Sequence, residues 1–238
     1  MQGIKIGDYH TWDDWGLYLK KISIDFPQRK EHVISVPGLD GVVDLSNVLT
    51  GGEPRYQNRA MNFEFEYMDG SYEEMLTLAS VIANRINGRR LRVVLDADPQ
   101  FYYKGVVHVK VDKVNQMISS INITVTSDPY KYDVLSSTDD WIWDIFNFQT
   151  GVILALKEIE ITEDNRTVLI PGVGEASVVP VINVVRMTEP MSVTYSGETF
   201  PLDVGQNRFP QIQVGRDEVQ LQFTGTGTVS IEYRRRSL

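Results

Sequence analysis

The chain has 238 residues, of which 42% are hydrophobic and 23% charged, with a formal net charge of −9 and no cysteine. That balance excludes disorder and leaves room for one large core or two modest ones, while the missing thiols exclude disulfides, cysteine-ligated zinc and a cysteine nucleophile. Residues before Ser136 carry 15 Lys and Arg against 18 Asp and Glu, and the rest carry 8 against 14, so neither half is suited to neutralising a phosphate backbone.

Met1–Asp8 holds no apolar core of signal-peptide length, and no later run approaches membrane-spanning length. The expectation is synthesis in a cytoplasm, without secretion or membrane contact. Trp12, Trp15 and Tyr18 open a short mixed segment, and Ile22-Ser23-Ile24-Asp25-Phe26 then alternates like a strand. Pro37-Gly38-Leu39-Asp40-Gly41 is strong turn chemistry. Met61, Phe63, Phe65 and Tyr67 alternate with Asn62, Glu64 and Glu66, the period-two pattern of a half-buried strand. One helix is predicted. Ser71 caps it with Glu74 three residues on, Met75, Leu78, Ala79, Ile82 and Ile86 form its apolar stripe, and Asn87-Gly88 ends it.

Three strands follow, two of them joined by Asp96-Ala97-Asp98-Pro99 and the third, Ile121–Ser127, stopping at Asp128-Pro129. Each proline biases the aspartate before it towards extended backbone and lacks the N–H of a further ladder bond. Beyond Tyr132 the chain turns polar at Ser136-Ser137-Thr138-Asp139-Asp140, the candidate junction between a domain at 1–135 and another at 136–238. Trp141–Phe148 is aromatic-dense and suits docking of one domain on another. From Lys157 onward short alternating strands recur between turns at Pro171-Gly172, Ser196-Gly197, Gly205-Gln206-Asn207, Gly215-Arg216-Asp217 and Thr224–Gly227, the spacing of an all-β sandwich.

No constellation in the sequence supports catalysis. His10, His32 and His108 show no metal-ligand spacing, and Asp13-Asp14 and Asp139-Asp140 are adjacent pairs whose side chains diverge. Asp96 and Asp98 are explained by turn formation before a weak cation site is needed. Pro171–Ser177 is glycine-rich but lacks the Gly-Lys-Ser/Thr ending and the following helix of a phosphate loop. Arg234-Arg235-Arg236 reads as a solvated strand end or subunit contact. Trp141, Trp143 and Tyr195 are more readily packed in cores than stacked on sugars. The expectation is a protein that is not an enzyme and has no catalytic, cofactor or metal site.

The Asp-x-Asp-Pro-x-x-Tyr-Tyr run at 96–103 and Ser127-Asp128-Pro129-Tyr130-Lys131-Tyr132 together resemble the N-terminal domain of siphophage distal tail proteins. Val36-Pro37-Gly38-Leu39-Asp40-Gly41 is similar to that family's I-P-G-x-D-G turn. Ile170-Pro171-Gly172 and Val179–Val184 resemble a segment of its C-terminal galectin-like sandwich. The resemblance implies a mainly β protein, with an N-terminal β-sandwich-like domain bearing one helix (α+β) and a C-terminal galectin-like all-β sandwich. It implies a virion protein at the tail tip, forming a hexameric ring at the end of the tail tube. Its partners would be copies of itself, tail-tube and tape-measure proteins, and baseplate or receptor-binding components, with DNA passing through unbound. Asp128, Pro129, Tyr130 and Tyr132 are the junction candidates, with at least one tyrosine ring mostly buried. A carbohydrate-binding or host receptor-binding protein using the C-terminal sandwich is the alternative from another class.

Overall fold

A computed structural model describes residues 3–50, 52–67, 71–113, 119–139 and 156–238. The chain divides into two compact units: 1–98, 102–131 and 238 in the first, 99–101 and 132–237 in the second. The aromatic run 141–148 lies outside the described residues.

In the first unit the strands are β1 (Ile4–Ile6), β2 (Tyr9–His10), β3 (Leu17–Ile24), β4 (Val33–Ile34), β5 (Val43–Asp44), β6 (Arg59–Tyr67), β7 (Arg90–Leu95), β8 (Asp98–Lys113) and β9 (Ser119–Ser127). One antiparallel sheet runs in the order β2-β1-β7-β8-β9-β6-β3, and β4 and β5 form a separate hairpin. β6 shows why alternation was legible: Met61, Phe63 and Phe65 are buried while Asn62 faces out, and the strand is paired on both sides. Burying each of these large side chains contributes about 1.5–3 kcal/mol.

Helix α1 (Tyr72–Ile86) starts where its cap dictates. Ser71 Oγ accepts the Glu74 N–H at 3.3 Å, and a Glu74 carboxylate oxygen accepts the Ser71 N–H at 2.7 Å, a reciprocal capping box. Met75, Ala79, Ile82 and Ile86 enter the same core as Ile4, Ile6, Phe63 and Phe65, with Leu78 packed at its edge. Asn87 is the C-cap, and Gly88 takes the positive φ of 73° that follows it.

The acidic turn is tighter than its sequence suggests. Leu95 pairs with Asp98 and Val94 with Tyr102, so Asp96-Ala97 alone makes the turn and Pro99–Phe101 has no partner on β7. A bulge of this kind suits Pro99, which has no N–H to give the ladder.

The second unit is a β-sandwich. It holds β10 (Lys131–Asp133), β11 (Ile159–Ile161), β12 (Thr167–Ile170), β13 (Val181–Met187), β14 (Met191–Tyr195), β15 (Glu198–Leu202), β16 (Gly205–Arg208), β17 (Val219–Thr224), β18 (Gly227–Glu232) and β19 (Arg236–Ser237), the first residue of β10 still counting with the first unit. Two four-stranded antiparallel sheets, β11-β18-β13-β16 and β12-β17-β14-β15, enclose a core that includes Ile182, Val184, Val193, Leu221, Phe223 and Ile231. The fold is mainly β with one helix among the described residues. One expected turn is displaced: Gly205–Asn207 lies in β16, because the Asn207 amide accepts from the Asp203 N–H at 2.9 Å and donates to the Asp203 carbonyl at 2.7 Å. The turn therefore sits one step earlier.

Candidate functional site

The two motifs that carried the resemblance are tied together inside the first unit. Lys131 donates to Asp98 at 2.7 Å, so the closing motif holds the opening one across 33 residues. Asp128 receives Arg90 Nη2 on both carboxylate oxygens, at 2.5 and 2.7 Å, and its own N–H donates to the Lys104 carbonyl at 2.9 Å. Charge-assisted contacts of this sort fix geometry more than they add stability where the groups remain half-exposed. Asp96 does separate work: it accepts the Gly3 N–H at 2.6 Å and faces His10 Nε2 at 3.2 Å, anchoring the start of the chain. Among the described residues no group of three acidic or histidine side chains is placed to hold a metal ion.

Asp128 is held as just described, and Tyr132 lies in the strand Lys131–Asp133. The Tyr130 ring meets Tyr56 edge-on, centroids 6.1 Å apart at 85°. Tyr130 and Tyr132 are both half-buried, so neither ring is in open solvent and neither is a core residue. Pro129 lies in the bend after β9. Sequence reasoning missed Tyr56 and Arg90, because each lies far along the chain from its partner and only the folded chain brings them together.

A second feature of the first unit was not foreseen. The β4–β5 hairpin closes over Pro37–Gly41, where Gly38 and Gly41 adopt φ of 86° and 82°. Its aliphatic side chains Val33, Ile34, Val36, Leu39, Val42 and Val43 are all exposed, Leu39 at 54% and Val42 at 57%. Near the entry to this region Phe26 is 77% exposed, with the buried Arg59 guanidinium 5.6 Å from its ring and 5.4 Å from that of Tyr103. Contiguous exposed apolar side chains of this kind mark contact surfaces.

In the second unit the basic run near the C-terminus is consumed internally. Arg235 Nε donates to Asp133 at 2.8 Å, Arg234 donates to the Asp133 carbonyl at 3.0 Å and to that of Val134, and Arg236 donates to the Ser177 carbonyl. These side chains lock the chain end onto residues 133–139 and 177, so the expectation of a solvated strand end is corrected. Arg216 pairs with Glu175, which lifts its proton affinity further.

Along its length the chain superposes on the solved structure of the SPP1 Dit (gp 19.1) protein, which that crystal structure presents as a paradigm of the hub adsorption apparatus in phages infecting Gram-positive bacteria. The TM-score is 0.64, with 98% of this chain and 99% of that chain covered at 10% sequence identity. The chain has the fold of a phage hub protein. The likeness is structural, since no protein-family model and no curated protein sequence matches. SPP1 Dit is a hub protein of an adsorption apparatus, and the mainly β fold expected from the motifs is the one this chain shares with it. No helix among the described residues is long and apolar enough to cross a membrane.

Proposed function

We propose that this chain is a structural component of a siphophage tail tip, a distal tail protein that closes into a six-membered ring at the end of the tail tube and carries baseplate or receptor-binding components. The observation that carries the reading is the end-to-end likeness to a hub protein, which spans both units rather than one common domain. The sequence motifs of the first unit support it independently.

The exposed hairpin gives the ring a physical means of assembly. Six aliphatic side chains in water cost free energy that burial against a neighbouring copy would recover, and head-to-tail contacts of that kind close into rings. The channel of such a ring lets DNA pass without gripping it, which suits a chain of net charge −9. The role needs no catalytic group and no cofactor. It places the protein in the virion, after synthesis in the host cytoplasm, with tail-tube and tape-measure proteins as neighbours. Asp128, Pro129, Tyr130 and Tyr132 act here as the junction from which the second unit leaves the ring domain.

The test is native mass spectrometry of the full chain beside a Val36→Asp, Val42→Asp variant. Both positions are exposed, so the variant folds with an unchanged melting temperature. The reading requires a hexamer that the variant loses. A wild type that stays monomeric at about 50 μM, or a hexamer indifferent to the hairpin charges, contradicts it.

A further inference from the structure

The outer face of the sheet β12-β17-β14-β15 is unusual for this chain. β14 contributes Ser192 and Thr194 to it, β17 contributes Gln220, Gln222 and Thr224, and β15 contributes Thr199. These six neighbours carry no charge, in a protein whose residues are 23% charged. Their hydroxyls form a ladder, Ser192 with Thr224 at 2.7 Å and Thr194 with Thr199 at 2.9 Å. At one end the face deepens into a groove of about 620 Å³, lined by Thr194, Tyr195, Gln213, Gln220 and Gln222 and by the turn from Gly215 to Glu218. Tyr195 is half-buried and packs against the sandwich core on the side of Val193, opposite Thr194, with its hydroxyl reaching the Gln213 carbonyl at 3.4 Å.

The groove combines strand residues of β14 and β17 with the turns at Ser196-Gly197 and Gly215–Glu218. The Gly215–Asp217 turn is braced by Val173, whose N–H donates to the Gly215 carbonyl at 2.7 Å. The volume falls within the range of small-ligand sites, about 300–1,000 Å³.

We propose that this groove binds a neutral oligosaccharide. Amides and hydroxyls both donate and accept, which matches a ligand that presents many hydroxyls and no charge. The charge pattern disfavours the other classes. Arg216 is already paired with Glu175, and Asp217 and Glu218 add negative charge at the rim, so phosphate-rich or sulfated polymers are repelled. A stable protein contact would need an apolar, aromatic-rich centre, and the face is mostly glutamine, serine and threonine, with Leu169 and Pro201 set among them and no aromatic ring. The inference stands apart from the ring, since every residue it uses lies in the second unit.

The experiment is isothermal calorimetry of the full chain with maltohexaose, cellohexaose, chitohexaose and a linear galactotetraose, each to about 10 mM, together with a heparin hexasaccharide. At least one neutral sugar should bind. Gln220→Ala with Gln222→Ala should weaken it about tenfold or more without moving the melting temperature, since both side chains are exposed. Failure of all four neutral sugars overturns the proposal, as does neutral-sugar binding that survives the double glutamine substitution. Binding of the heparin fragment alone overturns it in favour of an anion site. Ring assembly is read separately by mass, so loss of sugar binding leaves the assembly question untouched.

Discussion

Ser137 and Tyr233 are joined by a two-way exchange of hydrogen bonds: the Ser137 N–H donates to the Tyr233 carbonyl at 3.0 Å, and the Tyr233 N–H donates to the Ser137 hydroxyl at 2.8 Å. The same hydroxyl donates onward to the Ile231 carbonyl at 2.8 Å. Ser137 is 3% exposed, so a residue that reads as solvated linker serves as a strand partner inside the second unit. Ser137→Ala leaves a buried N–H and a buried carbonyl each short of one partner, and should cost about 1–3 kcal/mol. Urea unfolding of the full chain measures it, with Thr138→Ala as the control expected to cost less. An unchanged midpoint for Ser137→Ala would show that this segment does not anchor the sandwich.

Tyr233 itself gives a pH signature. Burial pushes its hydroxyl up to about 12, only partly opposed by Arg235. The unfolded chain releases this proton near pH 10, so the stability it provides is complete below pH 10 and lost as pH rises towards 12. One proton sets a slope approaching about 1.4 kcal/mol per pH unit in that window. The difference between wild type and Tyr233→Phe isolates it from the other tyrosines. At pH 7 the Phe variant should match or exceed wild type, because the hydroxyl has no hydrogen-bond partner among the described residues. Parallel unfolding curves from pH 9 to 12 would contradict the assignment.

Tyr56 and Tyr130 should couple. Edge-on aromatic pairs contribute about 0.5–1.5 kcal/mol beyond the area they bury. A double-mutant cycle with Tyr56→Leu and Tyr130→Leu, read by chemical denaturation, should return an interaction energy in that range. Strict additivity would reduce the closing motif to a passive strand exit. Tyr132→Ala, at the first residue of the second unit, should also lower the melting temperature, because its ring is half-buried.

How far the sequence alone reached depends on the range of each interaction. The helix from Ser71 was legible to the residue because a capping box and a stripe are local signals. The β6 and β17 strands were legible because one face of each is buried and the other is wet. The hairpin was not, since Val33, Ile34 and Val43 look like core residues until their neighbours are known. Ser137 misled for the opposite reason, being a polar residue whose partners lie 94 and 96 residues away. The Lys131–Asp98 link between two separately noticed motifs was likewise invisible without the β8–β9 register.

Gly172 stands in a motif noticed early, and the packing explains it without any special backbone angle. A Cβ there would overlap the Arg216 carbonyl oxygen and lie 2.6 Å from its carbon, with backbone on the far side leaving no room to yield. Gly172→Ala should therefore destabilise the second unit by about 3 kcal/mol. Gly215→Ala is the matched control, since its nearest neighbour would be Ser177 Cβ at an ordinary 3.8 Å. Equal melting temperatures for the two variants would refute the close approach.

The central claim is that this chain builds a closed six-membered ring. Negative-stain electron microscopy of the purified full chain, with mass photometry of the same sample, tests it most directly. The account predicts ring-shaped particles with six-fold averages and a mass six times the 27.1 kDa of the chain. Particles of single-chain mass, with no rings across the concentration range, would contradict it.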